Sequence, residues 1–101
     1  MTRERPAIRV TTSGEPVEVA IPESPTTGYR WVLADGADAV EVLSASFTPD
    51  PGRLAGGGGT RTFRLELRDP DGAELVFLLR RTPAGEPLER QVVIIGPSTH
   101  R

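Results

Sequence analysis

The chain has 101 residues, 37% hydrophobic and 26% charged, with a formal net charge of −2 and no cysteine. That suffices for one domain with a modest core, and the composition is too ordinary for a disordered chain. It excludes disulfides, thiolate metal sites and cysteine nucleophiles, and the twelve basic residues are scattered arginines without the clustered footprint that nucleic acid requires.

The N-terminal MTRERPAIRV carries charges with no apolar stretch behind them, so no signal peptide is expected. No apolar run approaches the ~18 residues of a membrane span. The chain reads as cytoplasmic, as a secreted chain trimmed of its leader also would. A single domain is expected over 1–101, fraying at 1–6 and 96–101.

From there the dominant signal is period-2 alternation, with almost no helical patterning. A short strand is expected from Ile8 to Thr12, then a turn at Ser13-Gly14. PVEVAI places Val17, Val19 and Ile21 on one face, and YRWVL does the same with Tyr29, Trp31 and Leu33. Asp35-Gly36 marks a turn before a strand from about Val40 to Phe47. Pro49-Asp50-Pro51-Gly52 ends that strand, and TFRLELR follows with Phe63, Leu65 and Leu67 inward. RDPDGAEL reads as a tight hairpin. AELVFLLRR is apolar on both parities and so reads as a central strand, and RQVVII closes the series. About seven to eight short strands separated by turns predict an all-β, immunoglobulin-like antiparallel sandwich.

Nothing in this pattern resembles a catalytic constellation. The one histidine, His100, is next to the last residue, and lysine is absent. Asp35 and Asp38 fall in one turn and Asp69 and Asp71 in another, and DPDG lacks the further ligands of a calcium loop. A serine or threonine nucleophile would have no base beside it. The glycine run 56–59 leads through Thr60-Arg61-Thr62 into a strand, not through Gly-Lys-Ser/Thr into a helix, so it is no phosphate loop. The reading is a protein that is not an enzyme and needs no cofactor or metal.

Three loops stand out instead. ESPTTGYRW packs a proline, two threonines, a glycine and the chain's one tyrosine and one tryptophan into residues 23–31. Pro25 fixes φ and holds Ser24 extended, Gly28 permits a reversal, and Thr26 and Thr27 present short hydroxyls. That describes a rigid polar knuckle. AGGGGTRTF is stripped of side chains, which suits a flexible linker, a bulge, or a backbone that approaches another protein closely. LRRTPAGEP carries Arg80 and Arg81, suited to solubility or to the rim of an interface.

In this order, GEPVEVAIPESPTTGYRW, FTPDPGRLAGGGGTRTFRLEL and the arginine loop resemble the chagasin family of papain-like cysteine protease inhibitors, from about Gly14 to Ile95. The resemblance implies an immunoglobulin-like sandwich with three inhibitory loops at one end. The family's Asn-Pro-Thr-Thr-Gly-Tyr/Phe-x-Trp corresponds to Ser24, Pro25, Thr26, Thr27, Gly28 and Tyr29, continuing to Trp31. Its Gly-x-Gly-Gly corresponds to Gly56, Gly57, Gly58 and Gly59. Its Arg-Pro-Trp/Phe corresponds to Arg81, Thr82 and Pro83. Serine replaces the asparagine of the first motif, and Thr82-Pro83 stands where the family has proline and an aromatic ring. Loss of an aromatic hot spot can cost about 2 kcal/mol or more. The resemblance implies a monomeric, reversible, competitive inhibitor whose Pro25–Tyr29 loop enters the protease cleft, flanked by the Gly56–Gly59 and Arg80–Gly85 loops. No nucleic acid or membrane is implied. The competing reading is a binding module of the same fold that inhibits no protease.

Overall fold

The structure, a computed structural model, describes residues 1–23, 28–51 and 58–98. Among them are eight strands: β1 (Arg3–Glu4), β2 (Ile8–Thr12), β3 (Val17–Glu23), β4 (Arg30–Asp35), β5 (Val40–Pro49), β6 (Gly59–Leu67), β7 (Ala73–Arg80) and β8 (Glu89–Pro97). A 3-10 turn at Ala37–Ala39 joins β4 to β5. One sheet runs β1-β8-β7-β4, with β2 also paired to β8, and the other runs β3-β6-β5. This is the immunoglobulin-like sandwich that the alternation predicts. β1 and β2 depart from the antiparallel rule by pairing parallel to β8.

Strand parity decides what is buried. Val17, Val19 and Ile21 of β3 and Phe63 and Leu65 of β6 meet Leu75, Phe77 and Leu79 of β7 and Val93 and Ile95 of β8. The Phe63 and Phe77 rings, one from each sheet, sit 4.6 Å apart between centroids at 39°. Such a pair adds about 0.5–1.5 kcal/mol beyond its buried area. β7 lies inside its sheet between β8 and β4; Leu75, Phe77 and Leu79 are buried in the core, while Val76 and Leu78 on its outer face are half-buried. Trp31 is buried, and its indole Nε1–H donates to the Pro22 carbonyl of the opposite sheet at 2.9 Å. That bond links the two sheets in a chain with no cysteine to do so.

The Asp69–Gly72 reversal corrects a sequence expectation. The turn is tight: Gly72 N–H donates to Asp69 O at 3.0 Å and Asp71 N–H to Asp69 Oδ1 at 2.9 Å. Yet β6 and β7 on either side belong to opposite sheets, so RDPDGAEL is a crossing between layers and not a hairpin. Aspartate-glycine chemistry specifies reversal of the chain; it does not specify which strand is then paired.

The N-terminal segment lies along the strand that follows the arginine loop. Arg3 N–H donates to Leu88 O and Arg5 N–H to Arg90 O, both at 2.9 Å, and Thr2 Oγ1 donates to Pro87 O at 2.9 Å. At the other end Ser98 N–H donates to Thr12 O at 2.7 Å. Fraying of residues 2–6 or of 96–98 would have to break these bonds; residues 99–101 lie outside the described residues.

Glu89 anchors the N-terminal segment through Arg3 and Arg5, each at 3.1 Å. Burial pushes its carboxyl up, but the hydrogen bonds and charges of the two guanidiniums together outweigh that, and the pKa falls below its usual 4.5. A carboxyl depressed in the folded state adds stability above its unfolded pKa, and that contribution is lost as pH falls through the folded value. The melting temperature is therefore expected to drop below pH 4.5. Glu89→Gln should shallow that acid limb, which melting curves of both proteins between neutral and acid pH would check. Parallel limbs would mean that Glu89 does not fasten the segment.

Candidate functional site

The register brings the three loops to one end of the sandwich. Glu23, the last residue of β3, pairs with Gly59, the first of β6, and Gly59 pairs with Pro49, the last of β5. In the other sheet Arg30, which opens β4, faces Arg80, which ends β7. β8 begins at Glu89, so residues 81–88 turn back at that same end.

Of the predicted site residues, Ser24, Pro25, Thr26, Thr27, Gly56 and Gly57 lie outside the described residues. Gly28 is exposed with φ of 82°, a left-handed conformation that glycine adopts without steric cost. Tyr29 is half-buried and packs against the core. The Gly58 carbonyl accepts the Asp50 N–H at 3.1 Å, closing the base of the glycine loop. Gly59 is already in β6 and buried; a Cβ there would strike the Thr48 carbonyl and come 2.5 Å from the Phe47 ring. Its lack of a side chain is a packing requirement, whatever else it does. Arg81, Thr82 and Pro83 are exposed, and Gly85 N–H donates to Thr82 O at 3.1 Å across the tip of the third loop.

Glu23 is the residue that the loop motifs do not reveal. Its side chain has no exposed surface, and it sits between the bases of the first two loops. Oε2 accepts the Trp31 backbone N–H at 2.9 Å, bridging the two ends of the first loop. Arg61, two residues into β6, donates through Nη2 to Oε1 at 2.8 Å and through Nε to Oε2 at 3.2 Å. This two-point guanidinium–carboxylate contact fixes orientation as well as distance. The Arg61 guanidinium also lies 5.3 Å from the centroid of the Phe47 ring on β5. One carboxylate thus holds β3, β4 and β6 together where the loops leave them.

Beside the first loop lies a groove of about 370 Å³, between Gly28, Arg30 and Val32 on one side and Arg80 to Pro83 on the other. Arg80 Nη1 donates to the Pro83 carbonyl at 2.6 Å, which holds the third loop against the end of its own strand. Arg80 Nε is buried without a partner among the described residues. An unmet donor of this kind costs about 1–3 kcal/mol.

The model of the family described as chagasin family peptidase inhibitor I42 matches residues 10–95. Chagasin of Trypanosoma cruzi is 30% identical over 60 residues, a match spanning 54% of this chain and 54% of that protein. This chain therefore aligns with about half the length of its curated relative. Among solved structures, the cysteine protease inhibitor EhICP2 of Entamoeba histolytica superposes with a TM-score of 0.69 at 15% identity, over 96% of this chain and 88% of that one. Amebosin, solved in solution, gives a TM-score of 0.63 at 21% identity, over 91% and 88% of the two chains. At those identities the superpositions speak for the fold.

Proposed function

The chain belongs to the chagasin family of peptidase inhibitors, a family of inhibitors and not of enzymes, and from that premise we propose that it is a reversible, competitive inhibitor of papain-like cysteine proteases. The observation that carries the reading is the convergence of three loop bases at one end of a rigid sandwich, with the first two tied by Glu23 and Arg61. In the proposed complex, the loop Pro25–Tyr29 enters the catalytic cleft, and the glycine loop and the Arg80–Gly85 loop flank it.

The physical demand on such an inhibitor is to occupy a cleft shaped for extended peptide without offering a scissile bond. A left-handed Gly28, with the fixed φ that any proline imposes at position 25, resists drawing the loop into an extended strand. The hydroxyls of Thr26 and Thr27 supply short hydrogen-bonding groups for a narrow polar site. A glycine-rich backbone can lie against the cleft wall with its N–H and C=O groups exposed to it. Preorganised strand ends lower the entropy lost on docking. Three loops of this size bury about 800 Å² per partner, a standard interface. Binding is noncovalent, and the inhibitor acts as a monomer.

The test is a titration of active papain and of a cathepsin-L-like protease with the purified protein, following cleavage of a fluorogenic peptide. Tight competitive inhibition, relieved by raising substrate, is the expected result. No inhibition at tens of micromolar, with the protein folded and uncleaved, would instead favour a binding module of the same fold. The absence of an aromatic ring at Thr82-Pro83 gives that second reading its footing.

A further inference from the structure

Three guanidiniums share the groove beside the first loop, and none of them has a carboxylate partner among the described residues. Arg30 and Arg80 are register partners on antiparallel strands, so their side chains leave the same face of the sheet. Trp31 and Leu79, the next pair in register, are buried, which puts the two arginines on the outer face. Like charges directly opposite one another repel. Arg81 follows at once on the third loop and is exposed. Ion pairs are made by Arg61 to Glu23, Arg3 and Arg5 to Glu89, and Arg90 to Glu4; Arg9, Arg64 and Arg68 have none among the described residues either, but they do not line this groove. Arg30, Arg80 and Arg81 have no carboxylate partner among the described residues. Arg80 spends one Nη1 hydrogen on Pro83 O and has a buried, unmet Nε; its other guanidinium hydrogens have no acceptor within the described chain.

We infer that this groove takes a carboxylate of the bound protease, an aspartate or glutamate beside the cleft wall that the third loop meets. The inference rests on the inhibitor reading and names the chemistry of one of its contacts. Position by position, Thr82-Pro83 offers no ring to fill an apolar pocket, whereas the arginine cluster offers paired donors to an anion. Val32, exposed on the outer face, gives the groove an apolar floor on which a partner's acidic side chain can lose its water. A protein of net charge −2 thereby presents a locally positive face at its loop-bearing end. Arg30, at the free position of the first motif, and Arg80, at the base of the third loop, become specificity-determining residues.

The experiment measures inhibition and association kinetics of wild type and Arg30→Gln against papain and the cathepsin-L-like protease, from about 20 mM to about 0.3 M salt. Wild-type association should slow by about tenfold over that range with the protease that carries the acidic residue, and Arg30→Gln should flatten the slope. The variant should also inhibit about five- to twentyfold more weakly. Because the substitution removes a like-charge pair, its melting temperature should hold or rise by about 1–5 °C. A purely structural arginine would lose stability together with inhibition. Equal inhibition and parallel salt slopes with both proteases would overturn the groove assignment alone, as would a fall in melting temperature. Failure of the wild type to inhibit either protease would remove the inhibitor reading, and this inference with it.

Discussion

Glu23→Ala is expected to destabilise the protein by about 3–5 kcal/mol, the range for removing one member of a buried ion pair. In a domain of this size that lowers the melting temperature by roughly 15 °C or more. The loss has two sources. The Arg61 guanidinium, with only 13% of its side chain exposed, is left without its carboxylate, and the Trp31 N–H is left without an acceptor. Glu23→Gln should cost less, because an amide oxygen can still accept from Trp31. The double change Glu23→Leu with Arg61→Leu separates stability from positioning. Apolar replacement of both partners of a buried pair is often neutral or better, so much of the lost stability should return, short of the cost of the Trp31 N–H that still has no acceptor. β3 and β6 would still be paired by their backbones, but the carboxylate tie from β3 to the Trp31 N–H of β4 would be gone, and inhibition should stay weakened. Thermal melts alongside inhibition constants for the three variants make the check. An alanine variant within about 1 kcal/mol of wild type would mean that the carboxylate is not what holds this end together.

Glu23 was legible in the sequence, though not as a loop motif. Val17, Val19 and Ile21 set the inward parity of β3, and Glu23 continues it. Phe63 and Leu65 set the inward parity of β6, and Arg61 continues that backward. An acid and a base on the core parity of two strands are either mispatterned or partners, and here they are partners. Gln91, on the parity of Val93 and Ile95, repeats the lesson: it is buried and donates to the carbonyls of Pro6 and Val92 at 2.8 and 2.9 Å. What alternation cannot convey is pairing. Two residues of β1 carry no period, so their parallel register with Glu89 and Arg90 left no mark on the pattern. The turn at Asp69–Gly72 announces a reversal in the same residues whether the next strand stays in the sheet or crosses to the other. The Arg30–Arg80 pairing likewise exists only once β4 and β7 are neighbours, 50 residues apart in the chain.

Thr27→Trp is expected to abolish inhibition, by a hundredfold or more on the order of 3 kcal/mol, while leaving the fold intact. The reasoning turns on volume. If the first loop enters a cleft that normally admits extended peptide between two walls, its tip has room for a threonine hydroxyl and methyl. An indole in that position must push the loop out of the cleft or force the walls apart, and overpacking of a fitted interior costs about 1–3 kcal/mol even where the surroundings can relax. If Thr26 and Thr27 bond in the cleft as proposed, withdrawal of the loop would also forfeit those hydrogen bonds. The fold should not respond. The strands on either side are held by Glu23 to Trp31 N–H, by Pro22 O to the Trp31 indole and by Arg61 to Glu23, and none of these bonds uses position 27. Melting temperature should therefore change by no more than a few degrees, the scale of a surface substitution. A folded Thr27→Trp protein that still inhibits at wild-type strength would show that the knuckle is not the inserted element, and would move the contact to the glycine and arginine loops. A folded variant that no longer inhibits, beside a Thr27→Ser variant that does, would locate the blocking contact at the tip of the first loop, because serine keeps the hydroxyl and adds no volume.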